Sequence, residues 1–119
     1  MRIGDAAREA GTTTRALRYY EQRGLLAAGR TDQGYRCYDQ SSVQRVRNIR
    51  ELLALGFTID DIHTFTDLLD QELPARFAPA DESGRCDNAL KVARERVASL
   101  SERIARLTDL RDRLNQRLE

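Results

Sequence analysis

Arg15, Arg18, Tyr19 and Gln22 recur three to four residues apart, the spacing that gathers side chains on one helix face. Guanidinium forks suit guanine edges and phosphate oxygens, so such a face has the chemistry of a nucleic-acid reader. Thr13 and Thr14 stand just before it, where hydroxyl oxygens can accept from the unpaired N–H groups of a helix start or reach a phosphate. Further on, Arg36 and Tyr38 alternate with Tyr35 and Cys37 along a predicted strand, so the Arg36 guanidinium and the Tyr38 phenol can share a target. Tyr35 is either a core anchor of that hairpin or an outward residue, and Cys37 is expected as a buried filler. Cys86 is the candidate sensor: it lies one residue before a long predicted helix and next to Arg85, a setting that favours thiolate chemistry.

Other chemistries find little support. His63 is the only histidine and has no cysteine near it in sequence, and Cys37 and Cys86 lack the spacing of a structural zinc site. No Ser-His-Asp set or phosphate-binding glycine loop is present, so neither an enzyme nor a cofactor or metal site is expected. No apolar run is long enough to span a bilayer, and the start turns polar by Asp5, which predicts a cytoplasmic protein with no membrane partner. The formal charge of +1 hides an asymmetry: residues 1 to 57 hold ten arginines against six acids, while residues 58 to 119 are net acidic. A basic front half fits a DNA-reading domain.

The elements that must position these residues follow from periodicity. Ile3, Ala6, Ala7 and Ala10 predict a short helix stopped at Gly11, and Leu17 with Tyr20 predicts a second over Arg15 to Arg23, stopped at Gly24. Two short helices about a tight turn make a helix-turn-helix. Residues 29 to 38 predict a β-hairpin wing with polar turn residues at its tip. Ser41 or Ser42 is expected to cap a helix bearing Val43, Val46, Ile49, Leu52 and Leu53. Thr58 and Asp61 form a predicted capping box ahead of Ile59, Ile62, Phe65 and Leu69. Pro74, Pro79 and Gly84 break helix and mark residues 70–86 as a linker or a short irregular turn. From Asp87 onward Leu90, Ala93, Val97, Leu100, Ile104 and Leu107 alternate three and four apart, and Leu110, Leu114 and Leu118 continue after a slip in register. A helix of about 45 Å is too long for so small a domain to cover and calls for a partner.

Taken together, Thr14-Arg15-Ala16-Leu17-Arg18-Tyr19-Tyr20-Glu21-Gln22-Arg23-Gly24-Leu25-Leu26, Gly34-Tyr35-Arg36 with Tyr38-Asp39, and Leu55-Gly56-Phe57-Thr58-Ile59-Asp60-Asp61-Ile62 resemble the signature of the MerR family of bacterial regulators. The resemblance implies a mainly α fold, with a winged helix-turn-helix DNA-binding domain at 1–69, a linker at 70–86 and an antiparallel coiled-coil dimerisation helix at 87–119. It implies a homodimer on double-stranded promoter DNA that acts with RNA polymerase by bending and untwisting the operator. It adds Tyr19, Tyr20 and Arg36 as phosphate or wing contacts, beside Thr13, Thr14, Arg15, Arg18 and Tyr38. Metal-sensing relatives carry two cysteines after this helix, and none follows Cys86 here, so metal sensing of that design is not expected. The alternatives are an effectorless architectural repressor or excisionase-like module, and a coiled-coil adaptor, against which the Arg-Tyr-Tyr and wing motifs argue.

Overall fold

Gly11 sets the first turn, because only a residue at ease with a φ of 74° can close helix α1 (Ile3–Ala10) and redirect the chain into α2 (Thr14–Gln22). The computed structural model describes residues 1–77 and 86–119. After α2 come strands β1 (Gly29–Arg30) and β2 (Arg36–Cys37), α3 (Gln40–Ala54), α4 (Ile59–His63), a 3-10 helix at Thr66–Asp70 and α5 (Asp87–Leu118). The fold is mainly helical, with the hairpin as a two-stranded wing. Arginines from α3 complete the first turn: Arg47 donates to the Glu9 carbonyl at 2.8 Å and Arg50 to the Ala10 carbonyl at 2.9 Å. These carbonyls end α1 and have no partner within it, so cations there offset the helix dipole.

The core gathers Leu17 of α2, Leu25, Val43, Val46, Ile49 and Leu52 of α3, Ile62 of α4, and Leu68 and Leu69 of the 3-10 helix. Asn48 is the one fully buried polar side chain among the described residues, and its bonds explain its place. Its amide donates to the Leu69 and Gln71 carbonyls at 3.1 and 2.7 Å and its oxygen accepts from Gln44 at 2.9 Å, tying the end of the 3-10 helix to α3. Leaving those carbonyls unpaired would cost more than the bonds gain, which is why a polar residue is tolerated there.

Several expectations need correction in detail. The cap of α3 is Asp39, not Ser41 or Ser42; its carboxylate accepts from the Ser42 N–H, and Ser42 is the reciprocal member of the box. A bond from the Ser41 hydroxyl, then those from Ser42, hold the Asp39 carboxyl below the usual range. The helix expected from Ile59 through Leu69 is broken in two. Phe65, with φ −141° and ψ 45°, leaves the helical ladder and turns its ring edge-on to Phe57 at 5.2 Å. Of the predicted linker, Asp70 ends the 3-10 helix, Leu73 and Phe77 pack against the core, and Cys86 is buried. Pro79, Gly84 and Arg85 lie outside the described residues.

The apolar face of helix α5 changes its surroundings along the helix. Cys86, Ala89, Val92 and Ala93 settle on the chain's own domain, whereas further along the helix Val97, Leu100, Ile104, Leu107, Leu110, Leu114 and Leu118 continue as an exposed stripe. Arg96 locks the docked turns in place, its Nε and Nη2 reaching the two Asp61 oxygens at 2.7 and 3.1 Å. Asp61 also closes the expected box with Thr58, so one carboxylate both caps α4 and anchors α5. The bonds from Arg96, ahead of those from Thr58, hold the Asp61 carboxyl below its ordinary 3.8. A depressed folded-state pKa contributes stability that is complete above the unfolded value and is lost as pH falls through the folded one. The melting temperature of the parent should therefore exceed that of Asp61→Asn by a constant margin at neutral pH, and the margin should close below an ordinary aspartate's 3.8. A margin that persists unchanged into strong acid would remove the ion pair as its source.

Candidate nucleic-acid interface

Helix α2 begins at Thr13, whose hydroxyl oxygen accepts from the Ala16 N–H at 3.1 Å, so this threonine is committed as the helix cap. Leu17 and Tyr20 turn inward, which leaves Arg15, Arg18 and Tyr19 exposed on the outer side, with Thr14 half-buried at the first turn. Among the described residues neither Arg15 nor Arg18 has an ion-pair partner, whereas Arg23, just past the end of the helix, is engaged by Asp60 at 2.5 Å. Two uncompensated guanidiniums on one exposed face are free to meet an external anion.

The wing stands beside this face. Gly29 pairs with Cys37 and Arg30 with Arg36, and Gly34 at φ 84° completes the tip. The start of the chain is stitched to the wing's outgoing end: the Met1 amine donates to the Tyr38 carbonyl at 2.6 Å, and the Tyr38 N–H donates to the Met1 carbonyl at 2.7 Å.

Arg36 and Tyr38 do converge, as their alternation suggested, but on an internal target. Glu21 of α2 accepts from the Tyr38 hydroxyl with one oxygen and holds Arg36 at 3.1 Å with the other. Tyr38 is only 3 % exposed, and burial, then the bond to Glu21, push its phenol up to about 12. Tyr20 is likewise buried, and burial raises its pKa. Both side chains lie in the core cluster, and the Tyr38 hydroxyl is taken by Glu21. Glu21 was missed in the sequence reading, although a single acid amid two arginines and two tyrosines of one helix is a recognisable anchor. Tyr35 is 62 % exposed and so is not a core anchor of the hairpin. Replacing Tyr38 with Phe removes a charge-assisted bond worth about 1.5 to 3 kcal/mol, and urea unfolding at fixed protein concentration should register a loss of that order. A variant as stable as the parent would mean that Arg36 alone satisfies Glu21.

Cys37 is half-buried. Cys86 is 3 % exposed, inside the core cluster with Ala89, and its backbone has helical rather than extended cap geometry. Its sulfur thus lacks the access that a reacting thiol needs while α5 stays docked. His63 is exposed. Among the described residues no group of three His, Cys, Asp or Glu is arranged to hold a metal ion, and no helix is long and apolar enough to cross a membrane.

Residues 1–69 match the family described as MerR HTH family regulatory protein, and residues 43–117 match MerR, DNA binding. The chain belongs to the MerR family. MerR relatives include the nodulation protein NolA of Bradyrhizobium sp. strain NC92, 40% identical over 95% of this chain and 41% of NolA. The HTH-type transcriptional regulator HmrR of Sinorhizobium medicae is 35% identical, over 92% of this chain and 69% of HmrR. The chain thus spans less than half the length of the NolA proteins it matches. Among solved MerR-type structures, the transcription regulator PbrR691 from Ralstonia metallidurans CH34, in complex with lead(II), aligns with a TM-score of 0.59 at 28% identity, over 94% of this chain and 86% of PbrR691. The MerR regulator HiNmlR, bound to promoter DNA, shares the fold, with a TM-score of 0.55 at 22% identity over 98% and 86% of the two chains. The helix-turn-helix part of this chain is the segment that carries the match over residues 1–69.

Proposed function

We propose that the protein acts as a homodimer that binds an inverted repeat in double-stranded promoter DNA and regulates RNA polymerase there by bending and untwisting the operator. The observation that carries this reading is the exposed face of α2, where Arg15 and Arg18 have no ion-pair partner among the described residues. Thr13, Thr14, Arg15, Arg18, Tyr19 and Arg36 are the DNA contacts in this reading, and Tyr20 and Tyr38 position them. Dimerisation is supported by the exposed stripe of α5 from Val97 to Leu118, whose side chains would leave water only against a second helix. An antiparallel arrangement keeps the two DNA-binding domains apart and presents their α2 helices to successive major grooves.

The joint between α5 and its own domain, held by Asp61 and Arg96, is where an inducer has the greatest leverage on the distance between the two α2 helices. Cys86 sits at this joint and becomes a sensor only in a state that opens it. The test is selection of duplexes from a random library, followed by hydroxyl-radical footprinting. Two protected half-sites related by a dyad and about one or two helical turns apart are expected. Enrichment of single half-sites, or of no sequence at all, overturns the reading.

A further inference from the structure

Arg2 played no part in the motifs, yet it occupies a defined place. Residue 1 is fixed to Tyr38 by two backbone bonds, so residue 2 does not fray as a free terminus would. The guanidinium carbon of Arg2 lies over the Tyr35 ring, 5.7 Å from its centroid. A cation–π contact orients a guanidinium without using any of its five N–H donors. Arg2, Ile3, Arg18, Tyr35 and Arg36 line a surface cleft of about 160 Å3 between α2 and the wing.

Three guanidiniums therefore border one cleft with no carboxylate in its lining. Arg36 is tethered to Glu21 on one side, and Arg2 and Arg18 have no ion-pair partner among the described residues. Like charges gathered this closely repel one another unless an anion sits between them. Tyr35, left 62 % exposed, has a role here that the hairpin core does not give it: it holds Arg2 toward the cleft.

We propose that this cleft seats one backbone phosphate of DNA, with Arg2 as a contact residue beside Arg18 and Arg36 and with Tyr35 as its positioning residue. The proposal rests on the DNA-binding role of α2. It adds the segment before α1 as a clamp at the junction of recognition helix and wing, where one phosphodiester ties both to the same strand. A phosphate contact is blind to base sequence, so Arg2 contributes to every duplex and not only to the operator.

The probe is a fluorescein-labelled 30-base-pair mixed-sequence duplex, titrated by anisotropy across a KCl series. Arg2→Ala is expected to weaken binding about tenfold at low salt and to make the slope of log K against log [KCl] shallower by about 0.9 per protomer. Arg2→Lys should keep the slope, and Tyr35→Leu should weaken binding while keeping it, because the charge remains. Inorganic phosphate at matched ionic strength should compete no better than chloride if the seat recognises DNA; specific competition by free phosphate overturns the assignment to a DNA phosphodiester. Arg2→Ala with parental affinity and slope, beside a weakened Arg18→Ala, overturns the seat and leaves the role of α2 intact. Parental binding by both variants overturns the two together.

Discussion

Leu100→Asp converts the protein to a monomer at micromolar concentration, as sedimentation velocity will register, while Arg106→Asp, off the apolar stripe, leaves the dimer intact. In the single chain Val97, Ile104 and Leu107 are 63 to 64% exposed, and Leu100 and Leu110 are each 45% exposed. Fully burying such a side chain contributes about 1.5 to 3 kcal/mol, and a pair of helices shares twice the set. Association costs about 4 to 15 kcal/mol, so the stripe has a surplus only when it is continuous. An aspartate in its middle both removes a leucine and places an unpaired charge in an apolar seam, a change expected to raise the dissociation constant by at least about a thousandfold, or roughly 4 kcal/mol. The monomer should also lose the avidity of two linked half-sites, which is worth about a hundredfold or more on the operator. A Leu100→Asp protein that sediments as a dimer would place the interface elsewhere.

Arg18→Ala should lower affinity for the selected operator by about ten- to a hundredfold, the equivalent of about 1 to 3 kcal/mol for one lost arginine contact. The side chain is exposed and has no ion-pair partner among the described residues, so melting temperature should stay at the parental value and separate the loss from misfolding. Arg18→Lys keeps the charge but not the two-pronged fork. If Arg18 reads a base, the lysine variant binds random duplex normally and loses preference for the operator; if it holds a phosphate, specificity survives in both variants. Gel shifts that place Arg18→Ala within twofold of the parent would mean that α2 does not face the groove.

How far these features could be read from sequence depended on how local their causes are. Gly11, the Thr58–Asp61 box and the start of α5 at Asp87 were legible because each depends on a few neighbouring residues. Asp39 was passed over for the adjacent serines because all three can cap, and the choice lies in which backbone turns extended. The break at Phe65 was illegible, since a continuous 3.6-residue pattern persists through it and only the ring of Phe57 explains the departure. Tyr38 shows the same limit at the interface: alternation put it beside Arg36, but nothing in the strand showed that Glu21 of another helix would take both. The stripe of α5 was visible as a seam, yet the assignment of Ala93 to the chain's own domain depended on a contact with residues far upstream.

The two α3 arginines that reach back to Glu9 and Ala10 bear on how the chain acquires its shape during folding. The carbonyls they satisfy lie 38 and 40 positions earlier, so the angle between α1 and α2 is completed only after α3 has formed and returned to them. The helix-turn-helix is in this sense not a local motif: its two helices can flicker in isolation, but their mutual angle awaits a long loop closure. Folding and loss of DNA-reading geometry should then be a single cooperative event, with α1, α2 and α3 exchanging their most protected amides at one common rate.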